Sequence, residues 1–151
     1  MRIVITGFMG SGKTRIAREL AQRMDLEMVD LDERITATKG RSPAELIVDE
    51  GEEAFRVIES DVLRDLLETD TASVIALGGG AWIQEVNRNL INQHGCLSIW
   101  LDVPFEVCWA RIESSSEVRP LGRTKEQAQA LYDQRKPIYQ LANVRIQLDA
   151  D

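Results

Sequence analysis

Residues 7–14 read Gly-Phe-Met-Gly-Ser-Gly-Lys-Thr. Its glycine spacing and closing Lys-Thr pair match, at every fixed position, a loop that wraps backbone N–H groups around phosphate. Such a loop constrains the fold, because it works only between a strand and a helix. The strand delivers the chain to the turn, and the helix N-terminus adds its positive dipole end to the cradle. Both flanks agree. Residues 3–6 are Ile-Val-Ile-Thr, a run of β-formers. From 14 to 24, Ile16, Ala17, Leu20, Ala21 and Met24 recur at helical spacing. Lys13 supplies a point charge for outer phosphates, and the Thr14 hydroxyl can ligate Mg²⁺.

The rest of the chain continues the alternation. Residues 28–32 read as a second strand, 74–77 as a third, 97–101 as a fourth and 144–148 as a last one. Helices are expected from Ser42, where Ser-Pro-Ala-Glu carries a capping box with proline at the first helical position, and over 52–68 after Gly51. A short helix follows Pro104 to about 112, and another opens at Thr124, capped with Gln127, with a break near Pro137. Strands alternating with helices imply right-handed βαβ units and a largely parallel sheet covered on both faces. The 151 residues suit one domain, 1–151, that buries roughly 70% of its unfolded surface. Ligands of such sheets sit at the carboxyl ends of the strands.

Charges placed where apolar residues belong say more about the ligand. On a helical wheel of 52–68, Phe55, Ile58, Val62 and Leu66 form the buried stripe. Glu59 falls inside it and Arg56 at its edge. A buried unpaired carboxylate is costly, and residues three apart can meet, so Glu59 is expected to hold Arg56 in a fixed pose facing a cavity. In the helix from Thr124, Arg135 shares a face with Ala128 and Leu131 and also points inward. Two inward arginines in an acidic chain suit capture of a carboxylate or phosphate, which guanidinium grips with two donors. Period two in the second strand would put Asp30 and Asp32 on one face near the ligand edge, one for Mg²⁺ and one for a hydroxyl proton; the alternative is that the aspartates cap a helix over Glu33 to Ala37. Gly78, Gly79 and Gly80 end the third strand at that edge and let backbone N–H groups approach a ligand. Arg119-Pro-Leu-Gly lies in the polar stretch 113–123, which suits a mobile lid closing on phosphate.

Composition excludes several classes. The net charge of −7 argues against nucleic acid or an anionic membrane as partner. Cys96, Cys108 and His94 are too few for a zinc site or a disulfide framework, and both cysteines read as free core thiols. The opening residues read as a buried strand rather than a signal peptide, and no apolar run nears 18 residues, so a cytoplasmic monomer is expected.

Over essentially its whole length the chain resembles the shikimate kinase family. The resemblance rests on the 7–14 loop, Asp-Leu-Asp at 30–32, Gly-Glu-Glu-Ala-Phe-Arg-Val-Ile-Glu at 51–59, Gly-Gly-Gly at 78–80, Arg-Pro-Leu at 119–121 and Arg-Lys-Pro-Ile-Tyr at 135–139. It implies a P-loop three-layer α/β sandwich of the nucleoside-monophosphate-kinase type, with a five-stranded parallel sheet and a lid at about 113–123. The substrate-binding helical region would be about 32–60. It implies that ATP with Mg²⁺ phosphorylates the 3-hydroxyl of shikimate. Gly10, Ser11, Gly12, Lys13, Thr14, Arg15, Arg111 and Arg119 would form the nucleotide side, with Arg111 beside the adenine and Arg119 on the lid. Thr14 and Asp30 would support Mg²⁺. Asp32 would bind substrate hydroxyls and act as base, while Arg56, Glu59, Gly78, Gly79, Gly80 and Arg135 would surround the acceptor. Lys13, Asp32 and Arg119 are the expected catalytic groups. The family pattern runs on past the last strand to a further helix, is longer between residues 119 and 135, and in some members has an aromatic where Ile47 stands. Two readings compete: a related small-molecule kinase such as a gluconate kinase, and a sensing module without turnover.

Overall fold

The computed structural model describes residues 1–115 and 120–149. Five parallel strands form one sheet: β1 (Ile3–Thr6), β2 (Met28–Asp30), β3 (Val74–Ala76), β4 (Leu97–Asp102) and β5 (Val144–Gln147), in the order β2-β3-β1-β4-β5. Helices α1 (Lys13–Met24), α2 (Leu31–Lys39), α3 (Pro43–Glu50), α4 (Glu52–Thr69), α5 (Glu85–Gln93), α6 (Phe105–Ser114) and α7 (Lys125–Tyr139) connect them.

Two apolar layers cover the sheet because neighbouring strand residues face opposite ways. Val4 and Ile75 join the larger core, with Leu63 and Leu66 of α4, Ile91 of α5 and Cys108 of α6. Ile5, Val74 and Ala76 face the other way, onto Ala17 and Ala21 of α1. Both cysteines are free and buried, as expected.

The register positions the site. Ala76 pairs with Ile5 on one side and with Asp30 on the other. Three strand ends therefore lie in one row, and the segments after them rise from the same edge of the sheet. The chain leaves β1 across β3 to β2, and leaves β3 across β1 to β4. The strand order reverses between β1 and β3, which is where such sheets open a crevice.

Most predicted elements are present within a residue or two, including both capping boxes, at Ser42 with Glu45 and at Thr124 with Gln127. Three readings change. The second strand ends at Asp30, not 32. The Asp30 side chain caps α2 by accepting the Glu33 amide at 3.1 Å, so Asp32 sits in a helix and does not share a strand face with Asp30. Helix α7 runs through Pro137 without a break. Proline there removes only a bond to the carbonyl of Asp133, whose residue is exposed to water. Helix α5 has no counterpart among the expected elements. Asn87 takes one of its fully buried positions, beside Leu90 and Ile91, so its apolar stripe is too thin to read. Among the described residues no helix is long and apolar enough to cross a membrane.

Candidate active site

The loop between β1 and α1 turns through left-handed backbone at Gly10 and Gly12, with φ of 75° and 91°. A Cβ at Gly10 would lie 2.7 Å from the carbonyl of Cys108, so α6 also closes on the loop there. Lys13 Nζ reaches back over the turn to donate to the carbonyls of Gly7 and Phe8, each at 2.9 Å. Arg111 on α6 donates to the carbonyl of Gly10 at 3.0 Å. Arg15 is exposed at the rim, and Ser11 is buried with its hydroxyl unpartnered. The Thr14 hydroxyl donates to Asp30 Oδ2 at 2.6 Å. Asp30 thus uses one oxygen to cap α2 and the other to hold the first turn of α1. A cavity of about 330 Å³ lies over this loop.

A second cavity of about 860 Å³ opens between α2, α3, α4 and the turn after β3. Met9, Asp32, Glu33, Gly78 and Gly79 line both cavities, so the two share one wall. Gly78 and Gly79 in that wall, and Gly80 beside it in the large cavity, are where charged side chains approach the turn. A Cβ at Gly78 would lie 2.6 Å from Asp32 Oδ1, and one at Gly80 would overlap the Arg56 guanidinium. A Cβ at Gly79 would stand 3.5 Å from Arg135 Nη1 and 3.1 Å from Met9 Cγ.

Arg56, Glu59 and Arg135 all line the large cavity, as the helical wheels require. Glu59 is 1% exposed and accepts from Arg56 Nη1 at 2.9 Å, while Glu52 accepts from Arg56 Nη2 at 3.2 Å. Arg56 Nε is buried without a partner, and Arg135 is 6% exposed. Burial pushes the Glu59 carboxyl up to about 7. The Arg56 guanidinium opposes this, Asp32 adds to it, and Arg135 also pulls downward. Burial alone would lower Arg56, but Glu59 and Glu52 raise it overall. The arrangement is a pair of inward arginines, with Arg56 held by Glu59 and Glu52, beside a further carboxylate, Asp32, on the wall facing the phosphate loop. Such a site can fix a small anion on one side and a phosphate chain on the other, with a base between them.

Arg119, the expected lid arginine, lies outside the described residues. Of the stretch 113–123, the first two residues still belong to α6, while Pro120 and Leu121 line the large cavity. Three side chains in or behind the site had no role assigned from the sequence, although Tyr139 closes the 135–139 motif. Met9 occupies a variable position of the loop, where the motif carries no information. Trp82 Nε1 donates to the carbonyl of Ile138 at 3.0 Å, and the Tyr139 hydroxyl donates to the carbonyl of Gly79 at 2.6 Å. Their partners lie 56 and 60 residues away, beyond any periodicity. Among the described residues no three His, Cys, Asp or Glu side chains cluster as a metal site.

A family model described as shikimate kinase matches residues 9–151. A shikimate kinase of Salinibacter ruber is 38% identical over 162 residues, spanning 100% of this chain and 78% of its own. One from Ruegeria pomeroyi is 38% identical, over 99% of this chain and 76% of its own. The solved structure of a shikimate kinase from Acinetobacter baumannii in complex with shikimate superposes with a TM-score of 0.90. It is 30% identical and covers 99% of this chain and 84% of that one.

Proposed function

This chain belongs to the shikimate kinase family, and from that premise we propose how its own residues carry out ATP-dependent phosphorylation of the 3-hydroxyl of shikimate. The observation that carries the reading is the wall shared by the two cavities, with phosphate-loop groups on one side and the Arg56–Glu59 and Arg135 cluster on the other.

The large cavity takes the acceptor. Arg56 and Arg135 grip its carboxylate with charge-assisted hydrogen bonds, and Glu59 holds the Arg56 guanidinium in place. Asp32, in the wall, orients the reacting hydroxyl and takes its proton as the bond to phosphorus forms. The small cavity takes the phosphates of ATP. There Lys13 exchanges its two carbonyl contacts for phosphate oxygens, and the amides of residues 10–14 supply further donors. Arg15 and Arg111 flank the nucleotide, and Arg119 closes over the transferring group.

The donor set suits Mg²⁺. Thr14 Oγ1 and Asp30 Oδ2 are hard oxygens 2.6 Å apart at the edge of the small cavity. That ion commonly takes one or two protein oxygens and fills its shell with water and phosphate. When bound it neutralises charge on the phosphate oxygens. Phosphoryl transfer asks mainly for positioning and charge neutralisation, and these residues supply both. The net charge of −7 supports an enzyme without a nucleic-acid or anionic-membrane partner. A cytoplasmic monomer is the matching expectation, and light scattering checks the oligomeric state.

A coupled ADP-release assay with shikimate, with gluconate and with no acceptor tests the function. ADP release that depends on shikimate is expected. Release driven by gluconate instead, or by no acceptor at all, would overturn the reading.

A further inference from the structure

Nothing in the phosphate loop or the acceptor clamp accounts for Tyr139. Its ring is 2% exposed and stacks on Trp100, with centroids 6.1 Å apart. Its hydroxyl donates to the carbonyl of Gly79 at 2.6 Å. Tyr139 lines neither cavity, whereas Gly79 and Gly80 both line the large one. The Gly79 carbonyl and the Gly80 amide belong to one planar trans unit, in which C=O and N–H point in opposite directions. Anchoring the carbonyl behind the wall therefore turns the Gly80 N–H to the cavity side. That N–H has no hydrogen-bond partner among the described residues. Arg135 stands one turn before Tyr139 on α7, with Nη1 3.5 Å from where a Cβ on Gly79 would be. Tyr139 therefore ties the glycine turn to the helix that carries Arg135.

The geometry points to Tyr139 as a positioning residue for the acceptor. Its hydroxyl orients the Gly79–Gly80 peptide so that the Gly80 N–H and Arg135 meet the substrate at one fixed spacing. This rests on the large cavity being the acceptor site. Burial pushes the hydroxyl up to about 12, against the pull of Arg135, so it stays protonated and able to donate across the working pH range.

Tyr139→Phe removes only the hydroxyl and keeps the stacked ring. The shikimate KM should rise roughly 2- to 13-fold, the range of one net hydrogen bond, with kcat and the ATP KM near wild type. An unchanged shikimate KM, or equal losses in kcat and ATP KM, would overturn the assignment. Trp82→Phe is the control, because it cuts the other tie between the turn and α7, to the Ile138 carbonyl, and leaves the Tyr139 hydroxyl in place. It should lower thermal stability yet leave the shikimate KM near wild type. An equal rise in that variant would make the effect plain loosening and sink the proposal. Should the Tyr139 variant fail to fold, ¹⁵N NMR of the wild-type chain decides. The Gly80 amide resonance should move as shikimate is added, and a static resonance refutes the idea. If the wild-type chain releases no ADP with shikimate, the function itself is what fails.

Discussion

Glu59→Gln separates what the buried carboxylate costs from what it does. Glu59 is 1% exposed, and burial raises its carboxyl from 4.5 to about 7 despite the Arg56 contact at 2.9 Å. That difference corresponds to about 3 kcal/mol. The sign follows from proton linkage. Between about 4.5 and 7 the folded chain keeps the Glu59 proton while the unfolded chain has lost it. The folded state binds more protons there, so Glu59 makes stability fall as pH rises through that window and level off above about 7. Glutamine mimics the protonated form at every pH. Urea unfolding at pH 5 should therefore find variant and wild type within about 1 kcal/mol. At pH 8 the variant should be the more stable, by up to about 3 kcal/mol. Function should run the other way. Above about 7 the ionised carboxylate holds Arg56 through a charge-assisted bond, worth about 1.5–3 kcal/mol. The variant's shikimate KM should then exceed wild type roughly 10-fold or more at pH 8, and the two should converge near pH 6. A stability difference that does not change with pH would refute the argument that burial governs this carboxyl. A KM difference equally large at pH 6 would show that its charge is not what fixes Arg56.

Three further outcomes are expected. Arg56→Ala and Arg135→Ala should each lower kcat/KM for shikimate by roughly 10- to 150-fold, mainly through KM, whereas Lys13→Ala and Asp32→Ala should act mainly on kcat; steady-state kinetics with both substrates varied distinguishes the two patterns. Gly80→Ala puts a methyl into the Arg56 guanidinium, so calorimetry should show shikimate binding weakened by on the order of 10-fold while ATP binding is retained. Thr14→Ala removes a hydroxyl 2.6 Å from Asp30 and should raise the Mg²⁺ concentration needed for half-maximal activity, read from a Mg²⁺ titration at fixed ATP.

The chemistry that was legible in the sequence is local chemistry. The phosphate loop is eight consecutive residues, and its glycines and Lys-Thr pair act through backbone they themselves shape. Both capping boxes join residues three apart. Glu59 and Arg56 could be paired on a helical wheel because three residues is less than one turn. Where the expectation failed, a short-range side-chain bond overruled the strand period or the apolar stripe. Asp30 turned from strand to helix cap, and Asp32 moved off the strand face that period two had given it. Buried Asn87 donates to the carbonyl of Ala81 just before α5, and this polar group takes a place in the helix's apolar stripe.

By itself, then, the sequence determined that phosphate would be held between β1 and α1 and that two arginines would turn inward to an anion. Only the tertiary structure decided that these are one site. The order β2-β3-β1-β4-β5 sets the ends of β1, β2 and β3 in one row, which brings residues far apart in the chain to a common wall. There Gly78 and Gly79 are the gaps through which Asp32 and Arg135 approach, Gly80 beside them admits Arg56, and Tyr139 anchors the turn from 60 residues away. No period in the sequence encodes those distances, because packing sets them only once the sheet has formed.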